Sequence, residues 1–266
     1  MRKVWAFIKR DVQTAVSYRT AFAVHFASAL LWVPICFFVG EELALGGGPA
    51  LTRYGGDYFA YMLIGVGLLG YLTVSLRTFN QSVRDSQLMG TLEIVLLSPT
   101  SIAELLFYSS AWIYGFATLR FVLFLAFGAV FGLDLTRGDG LSAAAILLLA
   151  VPAFAALGIA SAAVILVIKR GESINLALTT GSLLLAGVMF PTDLLPAWLQ
   201  PVSKLLPLTH ALEGMRLALF QGYSLRQLLP QVAWLAVFSL VCLPLALGLF
   251  ALAVRWTKAT GTLSHY

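Results

Sequence analysis

Residues 141–168, LSAAAILLLAVPAFAALGIASAAVILVI, form a long apolar stretch without a single charged side chain. A helix needs about 20 mostly apolar residues to cross the hydrocarbon core of a bilayer, so this stretch is long enough to cross it with a tilt. Pro152 lies inside the stretch and is expected to kink the helix without ending it. The stretch therefore predicts a transmembrane helix.

The rest of the chain has the same character. Hydrophobic residues make up 60% of the 266 residues and charged residues only 11%, which is too little charge to cover the surface of a soluble domain. The net charge of +5 comes from basic residues placed between apolar runs. It therefore indicates membrane topology and anionic lipid headgroups, and no nucleic-acid partner. The composition predicts an all-α polytopic membrane protein.

Five further stretches are apolar enough to cross a bilayer. The six predicted spans are residues 20–40, 58–76, 105–133, 141–168, 174–190 and 231–254. The fifth span is short, so its far end is expected to break or re-enter the membrane. No internal repeat or linker divides the chain, which predicts a single transmembrane domain over residues 1–266.

Six crossings place both termini on one side of the membrane. The segments on that side carry more lysine and arginine than those on the other, and such residues favour the cytoplasmic side. The sequence therefore predicts a multi-pass protein of the cell membrane (inner or plasma membrane) with both termini in the cytoplasm.

Two segments outside the spans have patterns of their own. Residues 2–18 place Trp5 and Ile8 on one helical face and Lys9 and Arg10 on the other, which predicts an amphipathic helix lying in the headgroup plane. Residues 191–230 combine leucine and tryptophan with repeated prolines, which prevent one long helix but leave room for short ones, such as 207–221. This outer segment is expected to be partly re-entrant.

The chain lacks the residues that carry catalysis or energy conversion. It has no phosphate-binding G-x-x-x-x-G-K-[ST] motif, its three histidines lack the spacing of metal ligands, and no catalytic constellation is present. The sequence therefore predicts no enzyme activity of its own, no catalytic residue and no metal site. Its acidic residues all lie outside or at the edges of the predicted spans, which argues against an ion-coupled transporter.

Arg120 is the ionisable residue that lies deep in a predicted span. A lone charge there costs several kcal/mol unless it is paired or hydrated. One interpretation is a cation that lines a substrate pathway or a dimer interface. The other is a structural arginine bonded to carbonyl groups or reaching towards the headgroups.

Residues 82–105, SVRDSQLMGTLEIVLLSPTSIAEL, form a polar insert on the predicted cytoplasmic side. Residues 82–100 are expected to form a helix that is interrupted or ends near Gly90, with Leu88 and Leu92 on an apolar face, before Pro99 stops it. This coupling region is either an interfacial loop helix packed on headgroups or a docking element for a separate motor subunit.

Two motifs in this chain resemble those of one membrane-protein family. GTLEIVLLSPTS, residues 90–101, resembles the cytoplasmic motif of the permease subunits of ABC-2-type exporters, and PLTHALEGMRLALFQG, residues 207–222, resembles the signature before their last span. The amphipathic N-terminus, the six spans and the proline-broken outer segment extend the resemblance from end to end. It is closer to the drug- and antibiotic-exporter branch than to the polysaccharide branch.

The resemblance implies a membrane subunit of an ATP-hydrolysing complex. Two permeases, identical or paired with a related chain, would bind two cytoplasmic ATPase subunits; a homodimer is the expected form. These subunits, and not this chain, would hold ATP and Mg. The coupling region would sit in a groove of the ATPase, with these residues in contact: Arg84, Asp85, Gly90, Thr91, Leu92 and Glu93. A local helix-capping role is the alternative for Glu93.

The remaining candidate residues fall into two groups. Small residues permit close helix approach, so the candidates for the pathway wall or dimer interface, taken with Arg120, are Gly65, Gly67, Gly181 and Gly187. The resemblance implies that the outer segment closes the pathway, and its candidate gate residues are Pro191, Pro207, Glu213 and Arg216.

The predicted function is therefore that of an ATP-driven export permease for a drug, an antibiotic or another amphipathic compound. The alternatives are a polysaccharide or lipid exporter of the same family, an ion-coupled secondary transporter, and a membrane scaffold or enzyme.

Overall fold

The computed structural model describes residues 27, 30–44, 57–88, 102–168 and 171–259, and within these residues all regular structure is helical. A short 3-10 helix, Thr192–Leu194, lies between the fifth and sixth of eight α-helices. The α-helices are α1 (Trp32–Ala44), α2 (Tyr58–Leu88), α3 (Ile102–Val130), α4 (Gly140–Ile168), α5 (Gly171–Leu185), α6 (Gln200–Leu205), α7 (Pro207–Gln221) and α8 (Leu229–Ala259).

Four of these helices are long and apolar enough to cross a membrane. Their candidate spans are Tyr58–Gln81, Ile113–Val130, Gly140–Ile168 and Leu229–Thr257. The prediction of an all-helical, polytopic membrane protein is confirmed for the part of the chain that the structure describes. Six spans remain a prediction, because residues 20–26, 28 and 29 of the first predicted span lie outside the described residues, as does all of the predicted helix at 2–18.

Helix α2 is longer than the sequence analysis predicted. It continues from the expected end of the span at residue 76 to Leu88, because residues 71–88 contain no glycine or proline to stop it. The seven residues beyond Gln81 add about 10 Å of helix. The first residues of the coupling region are therefore a direct extension of a membrane span.

Helix α5 is shorter than its predicted span. It ends at Leu185, five residues before the end of the predicted span 174–190, as expected for a span whose far end breaks. Gly187 adopts a φ of 79°, a left-handed conformation that favours glycine and commonly ends helices. The apolar part of α5, Ser173–Leu185, is shorter than a full membrane crossing.

Helices α2 and α4 form the centre of the bundle. Within an apolar 18-residue window of each candidate span, 67% and 56% of the residues of α2 and α4 are buried, against 28% for α3 and 22% for α8. A Cβ atom on Gly158 of α4 would lie 2.6 Å from the Ser75 carbonyl oxygen of α2, so this glycine is needed for the two backbones to approach so closely. The exposed faces of α3 and α8 are left for lipid or another chain.

The two ends of the bundle differ in construction. At the Tyr58 end, the loop between α3 and α4 meets α7, where the Asp139 amide donates to the Ala218 carbonyl oxygen at 2.9 Å. Asp139 also caps α4 by accepting from the Leu141 amide at 3.0 Å. The Ser142 hydroxyl and amide, which donate to this carboxylate, lower the pKa of Asp139. At the Leu88 end, the last seven residues of α2 are themselves the first residues of the coupling region.

Candidate transport site

A buried arginine joins three elements at the Tyr58 end of the bundle. Arg216 of α7 is only 2% exposed. Its Nη1 donates to the Gly187 carbonyl oxygen at 2.9 Å, and its Nη2 donates to the carbonyl oxygens of Tyr61 at 2.9 Å and Val188 at 3.1 Å. One guanidinium therefore links α7, α2 and the turn that follows α5.

Two tyrosines of α2 complete this cluster. The Tyr61 hydroxyl donates to the Gly187 carbonyl oxygen at 2.8 Å, and the Tyr58 hydroxyl donates to the Met189 carbonyl oxygen at 2.6 Å. The Arg216 guanidinium carbon lies 3.4 Å from the centroid of the Tyr61 ring, within range of a cation–π interaction. We call Tyr58, Tyr61, Arg216 and the carbonyls of 187–189 the arginine clasp.

The clasp supplies hydrogen-bond donors at the place where α5 ends early. The last carbonyl groups of a helix and of the turn that follows have no intrahelical donors, and an unsatisfied carbonyl in an apolar environment costs several kcal/mol. A cation at a helix C-terminus also interacts favourably with the helix dipole. Arg216 and the two tyrosines supply the donors that α5 lacks where it stops.

Gly65 makes room for the clasp. A Cβ atom at this position would lie 2.2 Å from the Val188 carbonyl oxygen and 3.0 Å from Nη2 of Arg216. The sequence analysis placed Gly65 and Gly187 with the pathway or dimer interface, and Arg216 with the gate. The structure brings these three residues together in one cluster, whereas Gly181 has open space around its Cα.

Replacement of Gly65 by alanine is expected to lower the free energy of unfolding by about 1–3 kcal/mol, because the added methyl group overlaps a backbone oxygen that cannot move freely. Gly181→Ala is the matched control: nothing lies within 4 Å of its Cβ, so it should leave stability unchanged or raise it slightly. Thermal unfolding of the two purified variants measures the difference. Equal melting temperatures would contradict the close contact at Gly65.

The other predicted gate residues lie along the same segment. Pro191 is buried and directly precedes the 3-10 helix, Pro207 is the first residue of α7, and Glu213 is half-buried on α7. Proline is tolerated at the first position of a helix because its missing N–H would have no partner there. Only Arg216 among the four belongs to the clasp.

A second feature is a cleft near the middle of the bundle, where Arg120 of α3 faces α2. The Cβ of an alanine at Gly70 would lie 3.1 Å from Nη2 of Arg120, and that of an alanine at Gly67 would lie 2.6 Å from the Phe121 ring. Arg120 is half-buried. The residues that line the cleft include Trp32, Gly67, Gly70, Arg120, Phe121 and Phe124.

Two pairs of hydrogen-bonded hydroxyl groups join α2 and α3 at one wall of this cleft. The Tyr114 hydroxyl of α3 donates to the Ser75 hydroxyl oxygen at 2.9 Å, and the Tyr71 hydroxyl is hydrogen-bonded to that of Thr118. The Tyr71 and Tyr114 rings stack with centroids 6.3 Å apart. These bonds between α2 and α3 hold the side of the cleft that carries Arg120.

A polar cluster towards the Leu88 end was not found by the sequence analysis. Asn80 of α2 donates to the Asn175 side-chain oxygen of α5 at 2.6 Å, and the Ser161 hydroxyl of α4 donates to the same oxygen at 3.0 Å. Asn80 is only 9% exposed. Asn80 lies beyond the predicted span 58–76 but inside the candidate span Tyr58–Gln81 of the structure, where an interhelical hydrogen bond satisfies its amide group.

Replacement of Asn175 by alanine is expected to cost about 1–3 kcal/mol, because the buried Asn80 amide and the Ser161 hydroxyl lose their shared acceptor. Ser173→Ala, an exposed position on the same helix, should change stability by no more than about 0.5 kcal/mol. The comparison of their melting temperatures in detergent tests the cluster. A larger loss for the Ser173 variant would show that this cluster does not hold α5.

The predicted motor-contact residues lie mostly outside the described residues. Arg84 and Asp85 belong to the last two turns of α2, while Gly90, Thr91, Leu92 and Glu93 fall outside the described ranges. Their contact with an ATPase stays a prediction.

Comparison with known proteins gives one family. A family model described as "ABC-2 type transporter" matches residues 2–220, a range that includes α1 to α6 and all but the last residue of α7. A comparison with curated proteins finds no match.

Proposed function

Because the chain belongs to the ABC-2 type transporter family, whose members form the membrane part of ABC transporters, we propose that it is the permease of an ATP-driven exporter. The substrate is a drug, an antibiotic or another amphipathic compound. The observation that carries the proposal is the family match over residues 2–220, which fits a bundle with four helices long and apolar enough to cross a membrane.

The continuity of α2 supports a route for coupling. This single helix contains Tyr61 of the arginine clasp near one end and Arg84 of the coupling region near the other. About 35 Å of helix separates these two residues. A separate ATPase that binds the coupling region moves the Leu88 end of α2, and the rigid helix transmits this movement to the clasp.

The arginine clasp is the proposed gate. It holds the turn after α5 against α2 and α7 through hydrogen bonds to three successive carbonyl groups. In the proposed mechanism the clasp keeps the outer end of the pathway closed, and movement of α2 releases the turn. With such a network of hydrogen bonds, the turn after α5 has two discrete arrangements, one held by the clasp and one released, and does not deform continuously between them.

The complex consists of two permease chains, as a homodimer, and two cytoplasmic ATPase subunits that bind ATP and Mg. It lies in the cell membrane with both termini of the permease in the cytoplasm, so that the coupling region faces the ATPase. Ion coupling is disfavoured, because the candidate spans contain no aspartate or glutamate.

The test is transport in proteoliposomes that contain the purified chain with or without a candidate ABC ATPase subunit. ATP-dependent movement of an amphipathic fluorescent dye is expected only when both subunits are present. Movement driven by an ion gradient with the permease alone would overturn the proposal and favour a secondary transporter.

A further inference from the structure

We propose that the Arg120 cleft binds an amphipathic molecule with a single anionic head group. The role of this ligand as cargo rests on the proposed export function, whereas its binding does not. The proposal depends on the position of Arg120, on the size of the cleft and on the surfaces around it.

Arg120 lies deep in the apolar layer. It is fifteen residues from one end of the predicted span 105–133 and thirteen from the other, or about 20 Å of helix in each direction. Insertion of an arginine at such depth costs about 2.5–3.5 kcal/mol. A ligand that brings a negative charge to the guanidinium offsets part of this cost.

The guanidinium is suited to an acidic head group. An arginine carries five N–H donors in a planar fork that matches a carboxylate or phosphate. Five donors are enough to serve a protein contact and a ligand at the same time. Because Gly70 has no side chain, Nη2 of Arg120 can lie close to α2 on the wall of the cleft.

The size of the cleft selects a head group and not a whole substrate. Its volume is ≈ 40 Å³, which is room for about three water molecules. A carboxylate or phosphate group fits in this space, whereas the apolar body of the ligand must remain outside it.

Exposed apolar side chains lie beside the opening. Trp32 of α1, which lines the cleft, is 50% exposed, and Leu123, one helical turn from Arg120, is 41% exposed. Residues three apart in a helix lie on neighbouring positions of its surface. An acyl or aromatic body is therefore expected to lie across Trp32 and Leu123 while its acid group contacts Arg120.

The binding test uses Trp32 as the reporter in the purified full-length chain, held in phosphatidylcholine nanodiscs. Dibromostearate, a fatty acid brominated at mid-chain, is titrated while tryptophan fluorescence is recorded, and the signal of Trp32→Phe is subtracted. Saturable quenching is expected with the acid, and only weak, linear quenching with its uncharged methyl ester. Equal quenching by the acid and the ester in the unmodified protein would overturn the proposal. This comparison needs no variant of Arg120.

Variants of Arg120 test whether the positive charge of this side chain binds the acid group of the ligand. Arg120→Gln is expected to weaken dibromostearate binding at least tenfold, because a charge-assisted hydrogen bond is about twice as strong as a neutral one. Arg120→Lys is expected to keep only part of the affinity, because an ammonium group keeps the charge but not the planar fork. Unchanged affinity in Arg120→Gln would contradict the proposal. A melting temperature for each variant shows that it is folded.

Two further arms identify the source of the anion. If phosphatidylglycerol in the nanodisc competes with dibromostearate, the natural ligand is a membrane lipid. If phosphatidylglycerol does not compete, the natural ligand is a single-chain acid. Either result supports an anion site. Binding is measured without an ATPase, so it tests the anion site independently of export. If binding persists but ATP drives no transport, the proposed export function fails and the anion site stands.

Discussion

Replacement of Arg216 by methionine is expected to destabilise the protein by about 3–5 kcal/mol. Methionine keeps the length and apolar character of the side chain but removes its hydrogen bonds to the carbonyl oxygens of Tyr61, Gly187 and Val188. These acceptors lie where water is scarce, and removal of one partner from such a buried charged cluster is strongly destabilising.

The same substitution is expected to disturb transport before it abolishes folding. Without the Arg216 guanidinium, the turn after α5 keeps its hydrogen bonds from the hydroxyl groups of Tyr58 and Tyr61 but loses those that Arg216 donates to Gly187 and Val188. If the clasp is the gate, Arg216→Met proteoliposomes at a temperature below their melting point leak the dye in the absence of ATP. Retention of the dye by folded Arg216→Met protein would contradict the gate.

Arg226→Met is the matched control for this substitution. Arg226 is exposed at the same end of the bundle, so its loss removes the same charge without breaking a buried contact, and stability should change by less than about 0.5 kcal/mol. Arg216→Lys is expected to recover only part of the stability, because an ammonium group cannot reproduce the planar fork of a guanidinium. A melting temperature of Arg216→Met equal to that of Arg226→Met would contradict the clasp.

Replacement of Glu93 by lysine is expected to reduce export to background while the protein still inserts in the membrane. The family resemblance assigns Glu93 to the motor contact, where its carboxylate meets basic groups or backbone donors of the ATPase. Charge reversal turns that attraction into repulsion, and like charges across an interface cost several kcal/mol. ATP-dependent dye export and co-purification of the ATPase are the two measurements.

Glu42→Lys makes the same change of charge at the other end of the bundle. Glu42 is exposed near the end of α1, and its variant should export normally. Glu93→Gln separates the two interpretations of this residue: a lost motor contact lowers ATPase co-purification, whereas a lost helix cap lowers the melting temperature. Normal export by Glu93→Lys would remove Glu93 from the docking contact.

The sequence predicted those elements whose signals are local. Helix α4 begins one residue before the predicted span and ends where predicted, since a long uncharged stretch has few alternatives in a membrane protein. Helix α7 covers the expected range, residues 207–221. Its start is set by Pro207, and its end by Gly222, whose φ of 63° is left-handed.

Contacts between distant residues were not predictable in the same way. Arg216 was assigned to a gate from its motif, yet its contact with the Tyr61 carbonyl group spans 155 residues of sequence. Likewise, a glycine-rich span does not reveal that Gly65 lies against Val188 while Gly181 faces open space. The early end of α5 and the Asn80 cluster also depend on packing, which a single sequence does not specify.

The most direct test of the central claim is the accessibility of the coupling region from each side of the membrane. Thr91→Cys, in a background with Cys36 and Cys242 replaced by alanine, is exposed to a membrane-impermeant maleimide in right-side-out and inverted vesicles. If a separate ATPase drives this permease, we expect labelling in inverted vesicles alone, with protection when the ATPase is added. Labelling in right-side-out vesicles would contradict the account, because a motor in the cytoplasm cannot bind a segment that lies outside the cell.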